Sequence, residues 1–220
     1  MHVNLIQGYA ILGGTFNPVH YGHLNLALAV KNVLCLEKVF LMPCYIPVHR
    51  EKPSVSVLHR LEMLEIAINS DSRMQSSLAI DKREILRDKP SYTYDTLQEL
   101  RAELGDKIPI YFIMGIDSLI SLPSWYKWQE IIKLSNLIVS YRPPASHALP
   151  SYIEDYYLRH KITNIDKIRS STRGKILLSE FTCNDNSATH IRSSIRNNIL
   201  INDMLPLSVF SYIKQHKLYT

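Results

Sequence analysis

The sequence predicts an α/β protein: one domain built on a Rossmann-like, doubly wound parallel sheet with helices on both faces. Three observations carry this prediction. Short apolar runs alternate along the chain with amphipathic segments of helical length, the pattern of a parallel sheet covered on both sides. The first apolar run ends in Gly13-Gly14 and leads into a helical segment. A later run ends in Gly115-Ile116-Asp117-Ser118, so two strands finish in glycine turns. Ligands of a doubly wound sheet sit beyond the carboxyl ends of the strands, where the strand order reverses. Neighbouring places for these two strands would turn both glycine turns toward one crevice.

The elements follow in order. Tyr9–Leu12 reads as a buried strand and Leu24–Leu34 as the helix after it. Lys38–Met42 is the second strand. Val57–Asn69 is the second helix, with Leu58, Leu61, Met63 and Leu64 among polar residues. Ser77–Ile80 is a third strand. Tyr94–Leu104 places Leu97, Leu100 and Leu104 on one stripe, spaced three and four apart. Ile110–Met114, Asn136–Ser140 and Lys175–Leu178 are further strands, and Trp125–Leu134 is a helix. The stretch Arg142–Pro150, rich in proline and alanine, reads as a surface loop rather than a linker. Ser187 is a good N-cap for a helix through Arg196, and proline opens the last helix, Pro206–His216.

Composition narrows the function classes. The chain has 220 residues, 46% hydrophobic and 20% charged, ordinary for a globular domain with a sizeable core. No basic segment followed by a long apolar stretch marks a signal peptide, and no apolar run is long enough to span a bilayer. Cys35, Cys44 and Cys183 are odd in number and lack metal spacing. Reduced, packed thiols in a cytoplasmic protein account for them. The net charge of +5 suits an anionic partner. Basic residues are interrupted by acids, as in Arg50-Glu51-Lys52 and Lys82-Arg83-Glu84, and the tyrosines are scattered. A nucleic-acid-binding module, the non-enzymatic alternative, would want an aromatic-basic face or a basic recognition helix.

The most informative stretch is Gly13-Gly14-Thr15-Phe16-Asn17-Pro18-Val19-His20-Tyr21-Gly22-His23-Leu24. Two glycines let the backbone approach a bound group. His20 and His23 stand three apart at a helix entrance, where free N–H groups and the positive dipole end attract phosphate. The stretch therefore predicts a nucleotide-phosphate cradle with imidazoles in reach of the reacting phosphate. His49, Arg50 and Lys52, after the second strand, are candidate donors to a triphosphate. The helix entrance at Ser187 offers N–H groups and hydroxyls, and Arg192 lies within reach of a β- or γ-phosphate.

The stretch resembles the signature of nucleotidyltransferases that carry a His-x-Gly-His motif. Nearly the whole chain, from about Ala10 to Tyr219, is similar to the bacterial nicotinate-nucleotide adenylyltransferases. The likeness includes Glu84-Ile85-Leu86-Arg87, Pro90-Ser91-Tyr92-Thr93, Gly115-Ile116-Asp117-Ser118-Leu119, Trp125-Tyr126, Tyr141-Arg142-Pro143 and Leu218-Tyr219. One departure is visible: Ala188 stands where the family usually has a second serine.

The resemblance implies adenylyl transfer from ATP to nicotinate mononucleotide, with Mg²⁺ accompanying ATP and no dedicated protein metal ligands. It implies an ATP site of Gly13, Gly14, Thr15, Phe16, His20, His23, Gly115 and Asp117, closed from the opposite side by Ser187, Thr189 and Arg192. The catalytic residues would be His20, His23 and Arg192. The mononucleotide would meet Thr15, His49, Arg50, Tyr92, Thr93, Trp125 and Arg142. The part from about 187 to 220 would complete the phosphate site. The expected partners are the two substrates alone, without nucleic acid or membrane, in a monomer or small homo-oligomer. Within the superfamily, nicotinamide mononucleotide and phosphopantetheine are the alternative acceptors.

Overall fold

The structure is a computed structural model and describes residues 8–48, 52–141, 149–181, 186–201 and 203–220. The strands are β1 (Tyr9–Gly14), β2 (Val39–Pro43), β3 (Ile46–Pro47), β4 (Leu78–Ile80), β5 (Pro90–Ser91), β6 (Ile110–Gly115), β7 (Asn136–Tyr141), β8 (Lys161–Ile162) and β9 (Ile176–Glu180). The helices of the first half are α1 (Tyr21–Leu34), α2 (Val57–Asn69), α3 (Ser72–Ser77), α4 (Arg83–Leu86) and α5 (Thr93–Leu104). Those of the second half are α6 (Ile116–Ser121), α7 (Trp128–Leu134), α8 (Ser151–His160), α9 (Ile165–Arg169), α10 (Ala188–Arg196) and α11 (Leu207–Gln215).

Seven strands form one sheet in the order β4-β2-β1-β6-β7-β9-β8, and every pairing in it is parallel. The chain winds outward from β1 through β2 to β4, returns to β6 on the other side of β1, and winds outward again. The order therefore reverses between β1 and β6, the adjacency predicted from the two glycine turns. A small parallel ribbon, β3 with β5, lies outside the main sheet.

Side-chain alternation explains why both faces are covered. Ala10, Leu12, Tyr111, Ile113, Ile138 and Leu177 join a core with residues of α1, α2, α3, α9, α10 and α11. Their neighbours Ile11, Ile110, Phe112, Leu137, Val139 and Ile176 point the other way, into a core with α5, α6, α7 and α8. The residues from Ile191 to Tyr219 share the first core, so this part belongs to the same packed body.

The two ends of the sheet differ. At the amino ends of the strands the buried Arg101 donates through its guanidinium to the carbonyls of Gly105, Ile108, Leu134 and Thr172 at 2.6–3.2 Å, tying together the loops that enter β6, β7 and β9. At the carboxyl ends the ladder opens. Pairing of β1 with β6 stops at Leu12↔Ile113, whereas β1 follows β2 to Gly14↔Pro43 and β6 follows β7 to Gly115↔Ser140. The two central strands thus part company where their glycine turns begin.

Several boundaries differ from expectation. The seventh helix starts at Trp128 rather than Trp125, because Leu122–Ser124 forms a 3₁₀ turn and Lys127 takes a left-handed conformation (φ 48°). The last strand of the main run begins at Ile176, since the N–H of Lys175 is taken by the Asn136 side chain. Leu58 lies on the exposed side of α2, while Arg60, Met63, Leu64, Ala67 and Ile68 are buried. Cys35 is a half-exposed, left-handed cap of α1 rather than a core residue, Cys44 is buried, and Cys183 lies outside the described residues.

Candidate active site

The site is built where β1 and β6 diverge. Gly13 and Gly115 are exposed at the two strand ends, and a side chain added at Gly115 would meet nothing within 4 Å. Gly13 has no such room: a Cβ there would stand 3.2 Å from the Phe112 ring. At Gly14 it would press on Phe16, whose ring folds back over the turn. Phe16 does this from a left-handed backbone conformation (φ 48°), uncommon for a bulky residue and a form of strain that concentrates at functional sites.

From this turn the chain enters α1 with His20 as N-cap in extended conformation and without a side-chain cap. His20 is buried and its ring stacks on that of His23, centroids 3.8 Å apart, while Phe16 meets His23 edge-on at 5.0 Å. Gly22 explains the spacing of the motif. A Cβ at this position would lie 2.9 Å from the His20 ring and 3.2 Å from the carbonyl oxygen of Asn186. Only glycine lets the imidazole lie against α1 while the α10 entrance closes in from the other side.

That second entrance is capped as expected. The Ser187 hydroxyl accepts the His190 N–H at 3.1 Å, and Asn186 donates to the carbonyl of Met204. Thr189 is exposed in the first turn, and the Arg192 guanidinium donates to Thr189 Oγ1 at 3.3 Å and to the Asn17 carbonyl at 2.8 Å. The glycine-histidine turn Gly13–His23 and the helix entrance at Ser187, read from distant parts of the sequence, therefore meet.

Sequence reasoning missed the residue beneath this meeting point. Arg60 of α2 is 1% exposed and donates to the carbonyls of Thr15 at 2.8 Å, Cys44 at 2.7 Å and Tyr45 at 3.0 Å. It fastens the turn after β1 to the loop after β2. The signal was present, since Arg60 falls in register with Met63, Leu64 and Ala67 at helical spacing. The thiol of Cys44 lies beside the Thr15 hydroxyl, and burial pushes its pKa up, so it packs as a neutral group.

The ribbon leads to the other half of the site. Tyr45 N–H donates to Ser91 Oγ at 3.0 Å, joining the loop after β2 to Pro90–Thr93. Tyr92 is the N-cap of α5 and provides no side-chain cap, which leaves the first N–H groups of that helix open to an anion. Tyr92 lies 5.2 Å from Tyr126, and Lys127 sits over Tyr94 at 4.5 Å. Trp125 is half-buried and meets Phe112 edge-on at 6.2 Å, the same ring that packs on Gly13. Tyr126 and Lys127, which the sequence did not place among the site residues, join Tyr92 and Tyr94 in this partly exposed cluster. Asp117 is exposed in the first turn of α6, whose N-cap is Gly115. His49, Arg50 and Arg142 lie outside the described residues.

Glu84 of α4 is buried beside the start of α5. It accepts the Thr96 hydroxyl at 2.7 Å, and Arg87 donates to that same hydroxyl at 3.3 Å. Burial pushes its carboxyl pKa up against hydrogen bonds from Thr96 and Ser91 that pull it down.

Residues 11–194 match the cytidylyltransferase-like family model. A protein of Marinomonas sp. named "Probable nicotinate-nucleotide adenylyltransferase" is 38% identical over 97% of this chain and 95% of its own length. One of the same name from Psychromonas ingrahamii is 39% identical over 97% of both chains. This chain belongs to the nicotinate-nucleotide adenylyltransferase family. Among solved structures, the Plasmodium falciparum nicotinic acid mononucleotide adenylyltransferase complexed with NaAD superposes with a TM-score of 0.72 at 20% identity, covering 97% of each chain. The same parasite enzyme complexed with APC gives 0.71. These neighbours share the family's fold with the present adenylyltransferase.

Proposed function

We infer that this protein transfers the adenylyl group of ATP to nicotinate mononucleotide, giving nicotinate adenine dinucleotide and pyrophosphate in NAD biosynthesis. The observation that carries the reading is the convergence of the α1 and α10 entrances, one lined by stacked His20 and His23 and the other by Arg192, in a chain of this family. A phosphate oxygen of the mononucleotide attacks the α-phosphorus of ATP. The bond from that phosphorus to the bridging oxygen breaks, and its electron pair leaves with pyrophosphate. The acceptor is already an anion, so positioning and charge neutralisation supply the catalysis rather than a strong base.

Gly13, Gly14, Thr15 and Phe16 would shape the turn against ATP, with Gly115 and Asp117 at the facing turn. His20 and His23 would donate to α- and β-phosphate oxygens. Ser187 and Thr189 would present the α10 entrance, and Arg192 would hold the departing pyrophosphate. Tyr92, Thr93 and Trp125 would frame the nicotinate ring, with Thr15, His49, Arg50 and Arg142 toward the mononucleotide phosphate and ribose. Mg²⁺ would accompany ATP and offset charge on its phosphates. We assign the protein to the cytoplasm, as a monomer or small homo-oligomer.

A pyrophosphate-release assay with ATP and separate acceptors tests the reading. Nicotinate mononucleotide is expected to support the fastest turnover. Faster release with phosphopantetheine would overturn the acceptor, and no release with any acceptor would overturn the activity.

A further inference from the structure

Asn17 is the hub of the phosphate site. Its carbonyl accepts Arg192 at 2.8 Å, its side-chain oxygen accepts the hydroxyl of Tyr219 at 2.8 Å, and its amide nitrogen lies 3.5 Å from Ser54 Oγ. Asn17 and Tyr219 are both buried, and the bond between them spans 202 residues of sequence. Tyr219 adopts a left-handed conformation (φ 66°), as does the neighbouring Lys217, and the N–H of Leu218 is held by the Ile213 carbonyl. The backbone after α11 is thus turned in a way that delivers one phenol to one amide. Burial pushes the phenol pKa up, against the pull of Arg192 and Arg60, so the group remains a hydrogen-bond donor at working pH.

We propose that Tyr219 is a positioning residue for adenylyl transfer: by fixing Asn17 it sets the carbonyl that aims the Arg192 guanidinium at the departing pyrophosphate. The geometry explains why one amide side chain and one phenol are buried together beside the reacting phosphates. Without the phenolic donor the Asn17 side chain keeps only its long 3.5 Å contact to Ser54, and the residue that carries the carbonyl loses the shorter of its two side-chain anchors. Arg192 then samples orientations in which it reaches phosphate less often. Misplacement of a catalytic group by about 1 Å can cost on the order of a hundredfold in rate. The inference rests on the assignment of Arg192 to the ATP phosphates.

Tyr219→Phe tests it, because the ring and its packing are kept and only the hydroxyl is lost. We expect kcat to fall roughly ten- to a hundredfold, with KM for nicotinate mononucleotide unchanged. Tyr212→Phe is the control, since the Tyr212 hydroxyl makes a 2.9 Å bond to His59 on the far side of α11's attachment to α2. It should leave kcat as it was. The decisive arm is Tyr219→Phe in an Arg192→Lys background, where no further loss is expected. A Tyr219→Phe enzyme with kcat within twofold of the parent overturns the proposal. So does a loss that simply adds to that of Arg192→Lys, or a larger fall in thermal midpoint than in the control with kcat unmoved. Full activity of Arg192→Lys alone would instead remove the Arg192 assignment on which the inference stands.

Discussion

On the proposed mechanism His20 and His23, whose rings stack at 3.8 Å, would each donate to a phosphate whose charge grows as the bond to the leaving group lengthens. Loss of one oriented donor costs about 10²–10³ in rate. His20→Ala and His23→Ala should each lose kcat on that scale while keeping the far-ultraviolet circular dichroism of the parent. Near-normal turnover in either would remove that imidazole from catalysis. Gly22→Ala should lower kcat through His20, because the new methyl group would stand 2.9 Å from that ring. A crystal structure of the variant should show the imidazole displaced. Glu84 gives a prediction about pH. Its carboxyl pKa is raised in the fold by burial, so the folded state holds the proton better than the unfolded chain. The stability this contributes is present below the ordinary carboxylate pKa and is lost as pH rises through the raised one. Glu84→Gln, which cannot ionise, should therefore flatten the decline of the thermal midpoint on going from pH 4.5 toward neutrality. An unchanged slope would show that Glu84 ionises in the fold as freely as in the unfolded chain.

At the scale of elements, two helix entrances make separable predictions. Ser187→Ala removes the cap on His190 N–H and should cost about 1 kcal/mol in chemical denaturation, together with a higher KM for ATP. Arg192→Lys replaces a planar, two-pronged donor by a point charge and should weaken ATP use clearly, whereas Arg196→Lys, at the exposed far end of α10, should not. Equal small effects at both positions would mark α10 as a plain surface helix. The α5 entrance concerns acceptor choice. In the proposed site its N–H groups, which no N-cap side chain holds, would suit a carboxylate and would face the NH₂ of a carboxamide unfavourably, and hydrogen-bond mismatch in a closed site is worth several powers of ten. We expect kcat/KM to favour nicotinate over nicotinamide mononucleotide, and equal values would remove the acid preference.

The same scale shows what could be read in advance. The β1–α1 cradle was legible because glycines, histidines and a strand–helix junction coincide within twelve residues. The α10 cap was legible because Ser187 has local chemistry. The start of α7 was not, since Lys127 adopts a left-handed conformation with a side chain that gives no hint of it. Short helices such as Ser72–Ser77 and Ile165–Arg169 have too few turns to show a period. Helical spacing marks Arg60 as buried and Leu218-Tyr219 belongs to the likeness, but the hydrogen bonds of Arg60 to Thr15 and of Tyr219 to Asn17 escaped because only tertiary packing brings those partners together.

As a whole, the molecule is clamped at one end of its sheet and open at the other. Arg101 holds the loops at the amino ends of the strands, while β1 and β6 separate at their carboxyl ends. Binding of a non-hydrolysable ATP analogue should therefore slow amide hydrogen exchange together at Gly13–His23 and at the start of α10. Exchange around Gly105–Ile108 should be unaffected. Protection confined to one of the two helix entrances would mean that they do not close on the same ligand.

The bond from Arg192 to Asn17 joins residues 175 apart. During synthesis at roughly 5–20 residues per second, the first half of the cradle leaves the ribosome on the order of ten to thirty-five seconds before its partner exists. Through that interval α1 can fold against β1 and β2, yet the entrance that faces it has not been made. If Arg192 serves the phosphates as proposed, a nascent chain would gain its full phosphate site only once α10 has emerged, and a chain stalled before residue 192 would hold the first helix entrance without the second.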